Sequence, residues 1–319
     1  MDASIAICTW NRSDLLDKTL ERMRQLDIPP GTSWEIVVVN NRCTDNTDEI
    51  IAKHTGSLPV RRVFEDKQGQ SHARNAAAVA AQGELVIWTD DDVLVDSKWL
   101  AEMLAAARAR PEFSFFGGPI EPWFEHDPPQ WLLDNWPAIN GAFAFRDLGT
   151  EVFEFDLKRL PYGANYAMRT SVQRAFPYNP KLGRVATGEI RGEETDVLHK
   201  LLAAGHRGLW VPTSKVKHFI PADRLTLDYI RRFFHGIGQT EFIRKHAVGN
   251  ALSGVPTTAS IPMWERPRTL INALQAEMRY RYYSTFRPTK TKRWVNSLVR
   301  ASRQWGHLAA CNAAMKKAA

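Results

Sequence analysis

Short continuous apolar runs alternate in this chain with stretches whose apolar residues recur every three or four positions. Ser4-Ile5-Ala6-Ile7-Cys8-Thr9-Trp10, Trp34-Glu35-Ile36-Val37-Val38-Val39, Val60-Arg61-Arg62-Val63-Phe64 and Glu84-Leu85-Val86-Ile87-Trp88-Thr89 are rich in β-branched and aromatic residues. They read as strands, mostly buried on both faces. Between them the period changes. Leu15, Leu16, Leu20, Met23 and Leu26 mark one face of a helix from about Asp14, which Pro29-Pro30-Gly31 breaks. A second helix starts near Asn46, and Ser71 to Ala81 forms a third, made of small residues. Strand and helix thus alternate through the first quarter of the chain, which predicts an α/β fold with a doubly wound, mostly parallel, Rossmann-like sheet.

After Pro111 the pattern changes. Phe113 to Ile120 reads as one more strand. The proline- and tryptophan-rich stretch holding Trp123, Pro128, Pro129, Trp131, Trp136 and Pro137 reads as a shaped surface loop or lid. Gly192-Glu193-Glu194-Thr195-Asp196 opens a helix through Val197, Leu198, Leu201 and Leu202, ended by Gly205. Trp210-Val211-Pro212 and Lys215 to Phe219 read as edge strands returning to the sheet. Beyond Pro221 the chain is mainly helical: one helix carries Tyr229, Ile230, Phe233, Phe234 and Ile237, residues 256–267 form an irregular connection, and two helices cover Leu270 to Tyr283 and Arg293 to Ala310. The expected division is 1–220, itself parted between 115 and 116, and 221–319 as a helical, basic extension.

Charge sharpens that division. The net +7 is uneven: residues 265–319 hold twelve Lys and Arg against two Glu, so the rest carries −3. Such asymmetry calls for an anionic partner of the tail. In the last helix Trp294, Leu298, Trp305 and Leu308 lie near one face, flanked by Arg293, Arg300 and Arg303. That pattern favours an anionic membrane surface. A diphosphate-linked lipid, an acidic protein, or a solvated face packed on the domain are the alternatives. Nucleic acid is not expected, since no reader motif occurs. The three cysteines lack metal-ligand spacing, and no signal peptide or long apolar span is evident. These features together predict a cytoplasmic protein, at most peripheral on the inner face of the membrane.

The candidate chemistry lies at strand ends. Thr9-Trp10-Asn11-Arg12, Asn40-Asn41-Arg42-Cys43-Thr44-Asp45 and Asp90-Asp91-Asp92 follow strands, and Gly69-Gln70-Ser71-His72-Ala73-Arg74-Asn75 precedes the small-residue helix. Ligands of open α/β sheets bind outside the carboxyl ends of the strands. Three adjacent carboxylates there repel one another. A hard divalent cation, Mn²⁺ or Mg²⁺ on a substrate diphosphate, relieves that repulsion; a solvated turn capping the next helix is the plainer reading. No P-loop or dinucleotide fingerprint occurs in the right context.

From about Ser4 to Phe219 the chain resembles the family-2 glycosyltransferases of the GT-A fold. Val38-Val39-Asn40-Asn41-Arg42-Cys43-Thr44-Asp45 resembles their V-V-D-N-x-S-T-D segment, with Asn40 where an aspartate contacts the base and Cys43 replacing serine. Gly69 to Asn75 matches G-x-S-x-A-R-N, Asp90-Asp91-Asp92 matches D-x-D, and Gly192 to Val197 fits G-E-D-x-D-L. The resemblance implies a nucleotide-sugar donor, most commonly a UDP-sugar, held by Thr9, Trp10, Asn11, Arg12, Asn40, Asn41, Gly69, Ser71, Arg74, Asn75, Asp90 and Asp91. It implies Asp92 and Asp90 at the metal, with His218 where some relatives supply a third ligand. Glu194 stands at the position of the base, a glutamate for the usual aspartate; the alternative is that Glu193, Glu194 and Asp196 only favour the helix dipole. Gly163 and Asn165 resemble a segment lining the donor-sugar and acceptor pocket, with Glu193 nearby; a tight turn is the alternative. Trp123 and Trp131 either stack on acceptor sugars or pack internally.

The implied activity is metal-dependent, inverting transfer of a sugar to a hydroxyl of a glycan or lipid-linked acceptor in cell-surface polysaccharide or glycolipid synthesis. The resemblance makes 1–220 the catalytic domain, with 1–115 binding donor and 116–220 binding acceptor. Two rivals keep the fold. A sugar nucleotidyltransferase would begin with a glycine-rich basic loop, where this chain has Thr-Trp-Asn-Arg. A non-catalytic nucleotide-sugar-binding scaffold would need neither the aspartate run nor Glu194.

Overall fold

The four leading apolar runs become strands side by side. A computed structural model describes residues 1–180, 182–183, 192–246 and 261–316. It shows β1 (Ala3–Thr9), α1 (Ser13–Met23), β2 (Trp34–Asn40), α2 (Thr47–Thr55), β3 (Val60–Phe64), α3 (Gln70–Ala80) and β4 (Leu85–Asp90). β1 pairs in parallel with β2 and β4, placing Ile5 opposite Ile36 and Ile87, and β2 pairs in parallel with β3. Apolar layers cover both faces of this sheet: Leu16, Leu20 and Met23 of α1 on one side, Ala73, Ala77 and Ala78 of α3 on the other. The small residues of α3 let it lie close to β1 and β2.

The remaining elements are β5 (Val93–Val95), α4 (Trp99–Ala109), β6 (Phe115–Gly117), β7 (Ile120–Phe124), α5 (Gln130–Asp134), α6 (Trp136–Ile139), β8 (Tyr166–Arg169), α7 (Thr170–Ala175), α8 (Glu193–Ala203), β9 (Gly208–Trp210), β10 (Val216–Ile220), α9 (Leu227–His246), α10 (Glu265–Phe286) and α11 (Thr291–Lys316). The main sheet has the order β3-β2-β1-β4-β8-β6-β9, with β8 antiparallel to both β4 and β6 and β9 parallel to β6. β5, β10 and β7 form a second sheet. The single strand expected over Phe113 to Ile120 is therefore two, parted at Gly118-Pro119, because proline cannot continue the ladder. Likewise only β9 returns to the main sheet; β10 pairs antiparallel with β5.

Two units make up the chain. One comprises Met1–Trp123, Ala144–Pro180 and Glu193–Phe219; the other takes Phe124–Phe143 and the chain from Ile220 onward. The stretch expected as a surface lid, within the part assigned to acceptor binding, thus belongs with the C-terminal helices. Its prolines start helical turns: Pro129 caps α5 in extended geometry and Pro137 sits in the first turn of α6. Leu132, Ile139 and Phe143 are wholly buried in one cluster with Tyr229, Ile230 and Leu298. Of the irregular connection expected over 256–267, residues 256–260 lie outside the described residues, and α10 already begins at Glu265 with Pro267 in its first turn.

Within the helical unit α9 and α11 touch backbone to backbone. A Cβ on Gly306 would lie 1.8 Å from the His235 carbonyl oxygen, and one on Gly238 would lie 2.0 Å from that of Arg303. Nearby, Oε1 of buried Glu265 accepts from Lys245 Nζ (2.8 Å) and meets the Nε2 atoms of His246 (3.0 Å) and His307 (2.8 Å). Burial opposes ionisation of Glu265, but these donors outweigh it and hold its pKa down at about 2. Gly306→Ala should destabilise this unit by about 1–3 kcal/mol, the usual cost of overpacking. Calorimetry should show a lowered transition for Gly306→Ala and none for Gln275→Ala, which changes an exposed position of α10.

Candidate active site

β4 delivers its last residue, Asp90, half-exposed beside Cys8 of β1, while Asp91 and Asp92 turn inward and are each 4% exposed. Buried carboxylates need partners. Asp91 Oδ2 accepts from Thr9 Oγ1 at 2.8 Å, and Arg12 Nη1 bridges Asp91 Oδ1 and Asp92 Oδ2 at 2.9 Å each. Thr19 of α1 donates to the Asp91 carbonyl at 2.9 Å and accepts from the Val93 amide at 3.2 Å, which pins the turn. Burial raises the Asp91 pKa despite Arg12, and the two carboxylates keep Arg12 more firmly protonated than usual. Both Asp91 side-chain oxygens are thus engaged within the protein, where they brace the turn.

Asp92 Oδ1 lies 3.3 Å from His218 Nε2 on β10. Ligand atoms of Asp90, Asp92 and His218 all fall within 4.8 Å of one another. His218 Nδ1 is buried without a hydrogen-bond partner. Two carboxylates and an imidazole suit Mn²⁺ or, with fewer protein ligands, Mg²⁺. The donor set therefore fits a divalent ion.

The turns after β1 and β2 are laced together. Asn11 (φ +51°) and Arg42 (φ +59°) adopt left-handed geometry, rare outside glycine. Asn11 Oδ1 accepts from the Thr44 amide at 2.7 Å, and Asp45 Oδ2 accepts from the Ser13 amide at 2.9 Å. Several asparagines expected to meet substrate are instead consumed in this scaffold. Asn40 donates to Asp48 (2.6 Å) and accepts from the Cys43 amide (2.8 Å). Asn41 donates to the carbonyls of Glu65 and Lys67 and accepts from the Gly69 amide, fixing the turn where Gly69 has φ +133°. Asn75 exchanges hydrogen bonds with the backbone of Tyr178. Asn165, wholly buried, accepts from Trp99 Nε1 (2.8 Å) and donates to the carbonyls of Pro119 and Ser214. Its amide is engaged inside the protein. Trp10 remains 42% exposed, while Ser71 is buried.

Arg74 ties the aspartates to α8. Its guanidinium is buried, 5.8 Å from the Trp88 ring and 5.5 Å from that of Tyr178. Nη2 lies 3.7 Å from Asp90 Oδ1 and Nη1 lies 3.4 Å from Glu193 Oε1. Burial alone would favour its neutral form, yet Glu193, Asp90 and Glu194 keep it charged. A Cβ on Gly163 would come within 2.5 Å of Nη2, so glycine gives Arg74 its room. Glu193 is buried in the first turn of α8. Glu194 beside it is mostly covered, and burial followed by the charge of Glu193 pushes its pKa up to about 7 against the pull of Arg74.

The tryptophans separate. Trp123 packs edge-on against Phe219 at 5.0 Å, whereas Trp131 lies in the helical unit with its ring 6.0 Å from that of Trp294. Trp131 packs against the apolar cluster of α5, α9 and α11. Sequence reasoning missed Thr19 and Tyr178. A threonine on the Leu16–Leu20–Met23 face of α1 was the signal for Thr19; Tyr178 left none. His218→Ala should weaken Mn²⁺ binding at least as much as loss of a ligand's supporting partner does, roughly 10–100-fold. Mn²⁺ titration followed by electron paramagnetic resonance checks this, and unchanged affinity would remove His218 from the centre.

Comparison with known proteins agrees with this geometry. Residues 4–158 match the profile of Glycosyl transferase family 2. The succinoglycan biosynthesis protein ExoM of Rhizobium meliloti (strain 1021) is 23% identical over 239 residues, 74% of this chain and 72% of ExoM. Validoxylamine A glucosyltransferase of Streptomyces hygroscopicus subsp. limoneus is 31% identical over 172 residues, 49% of this chain but only 38% of that protein. In fold, the mannosyltransferase PcManGT from Pyrobaculum calidifontis, solved with GDP-Man and Mn²⁺, superposes with TM-score 0.58 at 17% identity, covering 95% of this chain and 86% of its own. S. aureus TarS 1–349 in complex with UDP gives 0.52 at 17% identity, covering 99% and 92%. The chain is a glycosyltransferase whose residues 4–158 form a family-2 domain of the GT-A fold.

Proposed function

We propose that this enzyme is a metal-dependent, inverting transferase that moves a sugar from a nucleoside-diphosphate sugar, a UDP-sugar, to a hydroxyl of a glycan or lipid-linked acceptor. The pathway is synthesis of cell-surface polysaccharide or glycolipid, at the cytoplasmic face of a membrane whose anionic surface meets the basic C-terminal unit. The observation that carries the reading is the chain of charges from Asp90, Asp92 and His218 through Arg74 to Glu193 and Glu194. The names of ExoM, a succinoglycan biosynthesis protein, and of TarS bound to UDP support the polysaccharide and donor classes.

A divalent ion held by Asp90, Asp92 and His218 would offset the charge gathering on the departing nucleoside diphosphate. The chain's own residues do the rest. Arg12 and Thr9 hold Asp91 and so fix the turn that presents its neighbours. Arg74 compensates Glu193, which leaves Glu194 as the carboxylate of raised basicity. Glu194 accepts the proton of the attacking hydroxyl as that oxygen bonds to the anomeric carbon and the bond to diphosphate breaks. One displacement inverts the anomeric configuration.

Glu194→Gln should lower kcat by roughly 10²–10⁴-fold, the usual worth of general-base catalysis, with donor affinity retained. The base works only when deprotonated, so wild-type kcat/KM should rise with pH through about 7. The residual activity of Glu194→Gln should lack that limb; unchanged turnover would exclude Glu194 as base. A nucleotide-release screen of UDP-, GDP-, TDP- and CMP-sugars should give slow hydrolysis of UDP-sugars, abolished by EDTA and by Asp92→Ala. Metal-independent release, or release from another donor alone, would overturn the corresponding part of the proposal.

A further inference from the structure

Helix α10 is arranged inside out. The side chains it buries are Glu265 and three small ones, Thr269, Ala273 and Ala276. Tyr280 and Tyr283 pack partly buried against the apolar cluster, but its other large apolar side chains stand in water: Leu270, Ile271, Leu274, Met278, Tyr282 and Phe286 are 39–70% exposed. At about 100° per residue they fall within one arc of roughly 160° along a helix about 33 Å long. A soluble helix sets its apolar stripe toward the core, and an exposed face of this size marks an interaction site.

Its charges select the partner. Arg266, Arg268 and Arg279 flank the arc and Arg281 lies within it, all exposed. Arg268 stacks on the exposed Trp264 at 5.5 Å. The helix's two acids are withdrawn: Glu265 is buried under Lys245, His246 and His307, and Glu277 is half-buried beside Arg231 and Arg281. We infer that this face of α10 seats the enzyme on an anionic lipid bilayer, lying in the plane of the interface. Large apolar residues rimmed by arginine, with aromatic rings at both ends, fit the boundary between headgroups and acyl chains. A second copy fits less well, because a two-fold pairing would set arginine against arginine with no exposed acid between them. No helix among the described residues is long and apolar enough to cross a membrane.

This inference rests on the membrane-surface part of the proposed function and moves it to a different helix. The sequence pattern pointed to the last helix, but Trp294, Val295, Leu298 and Leu308 of α11 are buried.

The test is cosedimentation of the full chain with vesicles of phosphatidylcholine, alone or mixed with phosphatidylglycerol. The wild type should bind the mixed vesicles, about tenfold or more tightly than phosphatidylcholine alone. The double variant Leu274→Glu/Met278→Glu should lose that binding by a similar factor while keeping its circular dichroism and donor-hydrolysis rate. No vesicle binding by the wild type would sink both the membrane reading and the α10 assignment. Equal binding by wild type and double variant would sink only the assignment to α10. A wild-type dimer split by the double variant in sedimentation equilibrium, with vesicle binding unchanged, would make the face a contact between copies and also overturn the inference.

Discussion

Three adjacent carboxylates at the end of a buried strand are the constraint around which the first unit is organised. Asp91 and Asp92 are nearly enclosed, and an unpaired buried charge is costly enough to threaten a domain. The fold answers with elements drawn from far along the chain. Arg12 comes from the turn after β1, Thr19 from α1, and His218 from β10. The second sheet exists in part to deliver that histidine: β5 follows the aspartates directly, and β10 pairs with it so that His218 lies opposite Val93. Phe219 adds a backbone bond to the Asp92 carbonyl at 2.9 Å. The features that stabilise the turn are the features that aim its outer carboxylates at one point.

Burial then acts differently on two acids. It raises the pKa of both Asp91 and Glu194. Asp91 has its oxygens engaged by Thr9 and Arg12 and becomes a brace. Glu194 has Glu193 beside it, so its proton affinity rises further. Arg74 pulls against that rise; it approaches Glu193 directly and reaches Asp90 with another nitrogen. A single guanidinium, beside the rings of Trp88 and Tyr178, thereby links Asp90 at the end of β4 to Glu193 in the first turn of α8.

The parallel half of the fold was legible because strands buried on both faces leave unbroken apolar runs, and polar turns at their ends stand out against them. The aspartate run was legible as such a turn, and the paired glutamates as acids opening an expected helix. Asparagine roles were not. Asn40, Asn41, Asn75 and Asn165 look the same in sequence whether they meet a ligand or a backbone, and only the fold shows their amides consumed by carbonyls, amides and Asp48. Prolines misled between Pro128 and Pro137, since at a helix start they are compatible with order. The C-terminal helices show a deeper limit. An apolar stripe in sequence does not say whether it meets the protein or something outside it: α11 turns its stripe inward and α10 turns its own outward.

The central claim is that the carboxylates after β4 hold a divalent ion against a nucleoside diphosphate. Anomalous diffraction from crystals grown with Mn²⁺ and UDP tests it most directly. The account expects one strong manganese peak bonded to Asp92, with Asp90 and His218 at its side and the diphosphate completing its coordination. UDP bound in the crevice with no manganese peak at Asp92, or a peak confined to other carboxylates, would contradict it.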